Sequence, residues 1–118
     1  MTTAITNTAT IIGIDAHVIE VEADVSIGLG HFSIVGLPDG AIKESRDRIV
    51  AALNNACNGF PIRKGVVNLA PADIKKTGTG FDLPIALSIL EASQAIPCQA
   101  LRSILIAGEL SLEGRIRP

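Results

Sequence analysis

The first third of the chain alternates between hydrophobic and polar residues. In the segment HVIEVEADVSI, residues 17–27, five aliphatic side chains face one way and acidic or hydroxyl side chains face the other. A period of two is typical of a half-buried strand. Residues 9–13 and 31–35 are shorter β-prone runs, which glycine-containing turns separate from this segment. The pattern therefore predicts a β-meander.

A different period begins after Pro38, where hydrophobic residues recur at spacings of three and four. This period predicts an amphipathic helix. Pro38 and Asp39 suit the start of the helix. Gly59 suits the position just after its end, and Pro61 prevents its continuation.

The outward face of this helix carries charged residues of opposite sign at a spacing of four. Lys43 stands four residues before Asp47, and Glu44 stands in the same relation to Arg48. Because residues four apart are neighbours on a helix surface, we expect both pairs to form ordinary ion pairs. Arg46 has no evident partner within the helix.

The rest of the chain contains two further apolar runs and a second helix. Residues 65–70 predict a strand, and residues 103–107 predict a strand that looks buried. Between them, residues 82–96 predict a helix, for which Asp82 is a suitable N-cap and Pro84 a suitable first-turn residue. A hairpin follows. This order predicts an α/β (α+β) fold, a two-layer sandwich with a mixed β-sheet and two main helices.

Length and composition predict one domain over residues 1–118. The chain is 47% hydrophobic, with a mean hydropathy of +0.42, which suffices for one hydrophobic core and excludes disorder. It has no apolar stretch of about 18 residues and no signal-peptide pattern. The two cysteines, Cys57 and Cys98, form neither a disulfide framework nor a zinc motif. We therefore expect a soluble, cytoplasmic protein that makes no membrane contact.

The charge of the chain is unevenly distributed. The net charge is −2, but the first 42 residues contain five acids and no lysine or arginine, while the remainder contains all ten basic residues. This leaves room for a basic face that contacts DNA or a neighbouring subunit. Solvated surface charge is the alternative role of each residue, and only three phenylalanines could stack on bases. The candidate contact residues are Lys43, Arg46, Arg48, Arg63, Lys64, Lys75, Lys76 and Thr77.

The loop KKTGTGFD, residues 75–82, is the best candidate for binding chemistry. Glycines permit close backbone approach, and a helix N-terminus presents free N–H groups to an anion. The Walker A pattern GxxxxGK[ST] occurs nowhere in the chain, however. Asp82 would also place a carboxylate on the N–H groups that a phosphate needs. We predict that Asp82 caps the helix and that this chain binds no ATP and no other cofactor.

The sequence offers no further catalytic or metal-binding pattern. Serine catalysis needs a hydroxyl beside a general base at an exposed turn, and three of the serines fall within predicted helices. His17 and His31 lie in β-rich segments without a motif, and they have no ligand spacing with the cysteines. We therefore predict no catalytic residue and no metal site.

Three strings together resemble one protein family. They are FSIVGLPDGAIKESRDRI at residues 32–49, VNLAPADIKKTGTGFDLPIAL at residues 67–87 and GELSLEGRIRP at residues 108–118. They look like the amino-terminal domain of ComM- and YifB-type, magnesium-chelatase-like AAA+ ATPases. The resemblance covers nearly the whole chain from about residue 12, and it implies a fold like the proteolytic domain of Lon and the carboxy-terminal domain of RadA.

The resemblance also implies the wider setting of the chain. It implies a fragment of a longer protein, whose AAA+ motor binds ATP and magnesium and assembles as a hexamer. ComM relatives are associated with natural transformation, DNA recombination and branch migration. The expected partners are therefore the AAA+ domain of the same chain, further copies of the protein, and DNA.

The resemblance to Lon does not extend to peptidase activity. In Lon-type peptidases the nucleophilic serine opens the helix that corresponds to the one starting here at Asp82, and its lysine partner follows the hairpin, beyond residue 118. A carboxylate cannot replace the alkoxide of a serine–lysine dyad. The expected function is thus a non-catalytic accessory domain, and the alternatives are a degenerate ATP-dependent peptidase domain and a pure oligomerisation module.

Overall fold

The computed structural model describes residues 2–29, 32–56, 63–74, 76, 80–95 and 101–117. Within these ranges the chain forms strands and helices in the order strand, strand, strand, helix, strand, helix, strand, strand. They are β1 (Thr2–Ile12), β2 (Asp15–Leu29), β3 (Phe32–Val35), α1 (Asp39–Ala56), β4 (Arg63–Ala70), α2 (Asp82–Ala92), β5 (Glu109–Leu110) and β6 (Ile116–Arg117).

The four longer strands form one mixed sheet with the order β1-β2-β4-β3. β2 runs antiparallel to both β1 and β4, whereas β3 runs parallel to β4. Adjacent parallel strands need a crossover connection, and α1 lies in the connection between β3 and β4. β5 and β6 form a separate antiparallel hairpin, as predicted. The prediction of a small α+β domain with a mixed sheet and two main helices is confirmed.

The hydrophobic core lies between one face of the sheet and the two helices. α2 packs on β1 and β2, and α1 packs beside α2. The opposite face of the sheet is open, and Val18, Val35 and Val66 on it are about half exposed. The core consists of Ala4, Ile19, Val21, Ala23, Val25, Phe32, Ile34, Ile49, Ala52, Leu53, Val67, Leu69, Phe81, Ile85, Ala86, Ile89, Ala92 and Leu110.

β1 extends beyond the strand predicted at residues 9–13. The sequence pattern missed its first half because the inward face of the strand is polar. Thr6, Thr8 and Thr10 are buried on that face. The hydroxyl of Thr6 donates a hydrogen bond to the main-chain oxygen of Pro84 in α2, at 2.9 Å. A row of threonines has the β-branched shape that a sheet favours but shows no hydrophobic alternation, so the sequence pattern missed the first half of the strand.

The apolar run at residues 103–107 is not the buried strand that its composition predicts. Leu105 forms a single parallel bridge with Asn7 of β1, and Leu105 remains 62% exposed. The nearby amide of Ile106 donates to the main-chain oxygen of Asn7 at 2.8 Å. The prediction was wrong because composition shows that a run is apolar but does not show which element covers it.

The ends of α1 are only partly described. The helix begins at Asp39, as predicted, and its described part ends at Ala56. The proposed stop signals, Gly59 and Pro61, lie outside the described residues, as does the predicted first residue of the third strand, His31. None of the helices in the described part is long and apolar enough to cross a membrane.

Candidate functional site at the helix junction

Asp82 joins the two helices through its carboxylate. It is the first residue of α2 and only 2% exposed. The hydroxyl of Ser45 donates to Oδ1 of Asp82 at 2.7 Å. The guanidinium of Arg48 donates through Nε to Oδ2 and through Nη2 to Oδ1, the latter at 3.3 Å. We call Ser45, Arg48 and Asp82 the helix junction.

The structure corrects two sequence predictions at this junction. Phe81, not Asp82, occupies the N-cap of α2, and no side chain caps the helix. The ion pair of Arg48 is formed with Asp82 rather than with Glu44. Spacing along one helix could not reveal a partner 34 residues away on another.

In the helix junction the positive guanidinium of Arg48 faces the negative carboxylate of Asp82. The hydrogen bond to Asp82 is the main cause that raises the pKa of Arg48, burial opposes this effect, and the charges of Glu44 and Glu109 add to it. Both oxygens of the carboxylate accept hydrogen bonds, as a buried charge requires. Removing one partner of such a buried pair is costly, because it leaves the other charge uncompensated.

Ser45 is the junction residue that sequence reasoning missed as a partner of Asp82. It is 2% exposed and lies one helical turn before the core residue Ile49. A hydroxyl residue on the inward stripe of an amphipathic helix needs a hydrogen-bond partner. That position on the stripe was the available signal, although it could not identify the acceptor.

The predicted contact residues on α1 differ in their exposure and in their ion pairs. Lys43 is exposed and pairs with Asp47 at 2.8 Å, so this predicted ion pair is confirmed. Arg46 is half-buried. Arg48 is held by Asp82. Lys43 and Arg46 are therefore the α1 cations that a ligand could approach.

Lys64 and Lys76, the remaining predicted contact residues whose side chains the structure describes, do not join α1 in one basic face. Lys64 is exposed, but it lies on the open face of the sheet, away from the helices. Lys76 is 1% exposed, and its amine donates to the main-chain oxygens of Pro71 at 2.6 Å and Ile74 at 2.9 Å. This arrangement does not fit the predicted surface contact for Lys76. Lys75, Thr77 and the side chain of Arg63 lie outside the described residues.

A cavity of about 260 Å³ lies beside the start of α2. No charged side chain lines it in the described part of the chain. The amide of Leu83, in the first turn of α2, donates to the main-chain oxygen of Gly108 at 3.2 Å and so is not free for an anion. The lining consists of Ala9, Thr10, Ile11, Gly80, Phe81 and Ala107.

The described residues also contain no group of three His, Cys, Asp or Glu side chains placed to hold a metal ion. No histidine or cysteine in the described ranges belongs to such a group. His31 and both cysteines lie outside them, and His17 is half-buried in β2.

Comparison with known proteins connects this fold to a family. The family model described as subunit ChlI of Mg-chelatase matches residues 21–118. The uncharacterized protein Rv2897c of Mycobacterium tuberculosis is 43% identical over 106 residues, which are 90% of this chain and 21% of that protein. The uncharacterized protein YifB of Escherichia coli and the competence protein ComM of Haemophilus influenzae are each 40% identical over 117 residues, which are 99% of this chain and 23% of each relative.

The fold and the helix junction define a small α+β domain whose two helices are tied by a buried ion pair. The chain belongs to the magnesium-chelatase ChlI family, as a domain of the ComM and YifB type. The resemblance drawn from the three sequence strings is thus confirmed. The chain spans about a fifth of the length of the curated relatives it matches.

Proposed function

We propose that this chain is a non-catalytic, Lon-like accessory domain at the N-terminus of a ComM-like AAA+ ATPase that processes DNA in the cytoplasm. Its role is to contact DNA, a neighbouring subunit or both, while the AAA+ motor binds ATP and magnesium. The name of the Haemophilus influenzae relative, competence protein, supports a role in DNA uptake. The observation that carries the non-catalytic role is the engagement of Asp82 in the helix junction.

The chemistry of the helix junction supports a scaffold rather than a hydrolase. Asp82 stands where the resemblance to Lon places the nucleophile, and it accepts hydrogen bonds on both oxygens while almost fully buried. A substrate cannot reach such a carboxylate. The hydroxyl of Ser45 is equally buried and donates to Asp82, so it is committed to holding the helices together.

The exposed basic side chains of α1 make it a better candidate for the DNA contact than the open face of β2, although Glu44 and Asp47 lie beside them. Lys43 and Arg46 lie on α1, and the side chain of Lys43 is 79% exposed. The open face of β2 carries Glu20 and Glu22 instead. Carboxylates repel DNA phosphates, whereas lysine and arginine release counterions from them and so favour binding.

The experiment compares charge-reversed variants of a full-length protein that carries this domain together with its AAA+ motor. The double variant Lys43→Glu/Arg46→Glu should weaken binding of fluorescein-labelled DNA, measured by anisotropy. It should also reduce the slope of log affinity against log salt by about 1 for each phosphate that the protein no longer neutralises. Lys76 is unsuitable for this test, because reversing the charge of a buried amine would disturb the fold.

Lys64→Glu is the control for each single reversal, Lys43→Glu or Arg46→Glu, since it reverses one exposed charge on the opposite face of the domain. It should leave DNA affinity within about twofold of the parent. Equal affinity of the α1 double variant and the parent, together with normal ATP-driven strand migration, would remove α1 as the DNA surface. Loss of the ring on deletion of residues 1–118, with DNA affinity per subunit unchanged, would favour a pure oligomerisation module instead.

A further inference from the structure

β1 forms one edge of the sheet, and part of that edge is unpaired. The main-chain oxygen of Asn7 accepts a hydrogen bond from the amide of Ile106, at 2.8 Å, so Asn7 points away from β2. Main-chain groups alternate in direction along a strand, so those of Ala9 and Ile11 point the same way as those of Asn7. No described residue forms a main-chain hydrogen bond with these outward groups of Ala9 or Ile11. This part of the edge therefore offers donors and acceptors to a further strand.

The segment next to β1 turns away at this point and leaves a cleft. The amide of Ile106 donates to β1, but the amide of Gly108 donates to the main-chain oxygen of Gly80, at 3.0 Å. The chain therefore diverges from β1 after Ile106. A cavity of about 260 Å³ lies where the two segments separate, and we call it the edge cleft. Its lining consists of Ala9, Thr10, Ile11, Gly80, Phe81 and Ala107.

The lining of the edge cleft fits an uncharged ligand that can form hydrogen bonds. Thr10 is 8% exposed, and its hydroxyl forms no hydrogen bond with any described residue. A buried hydroxyl without a partner is unfavourable, so a ligand that supplies a partner is stabilised there. No charged side chain lines the cleft in the described part of the chain, which disfavours a phosphate or a nucleic acid. The other walls are apolar and suit an aliphatic side chain.

We propose that the edge cleft binds an extended, uncharged peptide segment, which adds a strand to β1. The main chain of the segment pairs with the outward groups of Ala9 and Ile11, its polar groups reach the hydroxyl of Thr10, and one aliphatic side chain enters the cleft beside Phe81. In this mode of recognition main-chain hydrogen bonds supply affinity, and the pocket for a side chain supplies selectivity.

The same chemistry recognises a segment from either of two sources, the longer protein itself or a separate polypeptide. The site goes beyond the DNA contact proposed for α1, because it lies on β1 and at the start of α2 and uses no residue of α1.

The test is a titration of the nitrogen-15-labelled, 118-residue chain with the blocked pentapeptide acetyl-SVLVS-amide, followed by NMR. The amide signals of Ala9 and Ile11 should move downfield and saturate, because both amides become hydrogen-bonded. A peptide with lysine or aspartate in place of the central leucine should bind at least about tenfold more weakly, since a charge would be buried without a partner. A single-stranded oligothymidylate should leave both signals unmoved.

Two variants test the contacts separately. Ile11→Pro removes an outward N–H and no hydrogen bond to β2, so β1 should stay paired while peptide affinity falls at least about tenfold. Thr10→Val removes the hydroxyl and keeps the shape of the side chain. It should weaken peptide binding by about threefold or more and yet raise the urea midpoint, whereas a purely structural role of the hydroxyl would not change the two in opposite directions.

Thr3→Pro is the matched control for Ile11→Pro. It removes an outward N–H at the other end of β1, away from the edge cleft. This variant should bind the peptide within about twofold of the parent chain.

A full-length protein that carries this domain identifies the source of the segment. Saturation-transfer NMR on the methyl groups of the peptide leucine reports binding to either protein. Binding to both the full-length protein and the 118-residue chain assigns the cleft to a separate polypeptide. Binding to the 118-residue chain alone assigns it to a later segment of the protein itself, and both results support the peptide as the ligand.

Two results would overturn the proposal. The absence of a saturable shift at Ala9 and Ile11 with millimolar peptide would exclude peptide binding in the edge cleft. Parent-like peptide affinity of both Ile11→Pro and Thr10→Val, with native circular dichroism, would place the peptide elsewhere on the domain. Because α1 takes no part in the contact, these outcomes leave the DNA-binding test of Lys43 and Arg46 unaffected.

Discussion

Removal of the Asp82 carboxylate tests the helix junction directly. In the variant Asp82→Ala, the guanidinium of Arg48 loses its ion pair and the hydroxyl of Ser45 loses its acceptor. Both groups stay on α1 and face a site that no longer offers an oxygen. We expect the free energy of unfolding to fall and the two helices to separate more easily.

The size of the effect follows from burial. Removing one partner of a buried ion pair costs about 3–5 kcal/mol. Arg48 keeps 27% of its side-chain surface exposed, so water offsets part of the loss, and we expect about 2–3 kcal/mol for Asp82→Ala. Asp82→Asn keeps an oxygen for Ser45, but it loses the charge and places an NH2 donor against the donating guanidinium of Arg48, so a loss of about 1–3 kcal/mol is expected.

Urea unfolding followed by far-UV circular dichroism is the assay, since the chain contains no tryptophan or tyrosine. A urea m-value of about 1–3 kcal/mol per M converts the expected loss into a midpoint lower by about 0.7–3 M. The control is a double-mutant cycle with Arg48→Met. If the two side chains act as a pair, their coupling energy should be about 1–3 kcal/mol.

The pH dependence of stability is a second test of the ion pair between Arg48 and Asp82. The hydrogen bond to Asp82 raises the pKa of Arg48, so the stability that it contributes is present below the ordinary arginine pKa and is lost only as pH rises through the raised folded value. The difference between parent and Asp82→Ala should therefore stay constant from neutral to mildly alkaline pH. A midpoint within about 0.2 M of the parent, with no coupling to Arg48, would refute the reasoning.

Two further predictions concern the sheet and the surface of α1. A Cβ at Gly65 would lie 2.3 Å from a main-chain oxygen of β2, so Gly65→Ala should lower the free energy of unfolding by about 1–3 kcal/mol. The control is Gly40→Ala, whose Cβ would meet no atom within 4 Å, and it should be neutral or stabilise the chain by up to about 1 kcal/mol. Equal urea midpoints for the two variants would contradict this prediction. The hydrogen bond from Lys43 lowers the pKa of Asp47 below 3.8, so the associated stability is present above the unfolded pKa and is lost as pH falls through the folded value. Lys43→Met should return that pKa towards 3.8 in a carbon-13 NMR titration, and an unmoved pKa would exclude the pairing.

The local sequence pattern was sufficient to predict an element where one face of that element is uniformly apolar. Residues 19–27 alternate strictly, and β2 spans all of them. The spacing of three and four after Pro38 located α1 and its first residue, Asp39. Periodicity reports these elements because each buries one face of its own against the core.

The local sequence pattern failed to predict burial where the buried residues are polar, or where burial depends on an element that is distant in the sequence. The threonines of β1 are buried under α2, yet they read as polar in the sequence. The run around Leu105 is apolar, yet no described element covers it. Burial is a property of the assembled fold, so composition at one position predicts it only when the neighbours are already known.

The order of residues was enough to establish the main elements, the α+β class and the family, because these depend on short-range periodicity and on ordered strings of residues. The roles of the charged side chains emerged only in the folded chain. Asp82 and Lys76 were predicted as a cap and a surface contact, but Asp82 holds Arg48 across the two helices and Lys76 donates to the main chain of its own loop. Hydrogen bonds and ion pairs act over a few ångströms, and the partner of Asp82 is 34 residues away in sequence, so folding rather than spacing selects it.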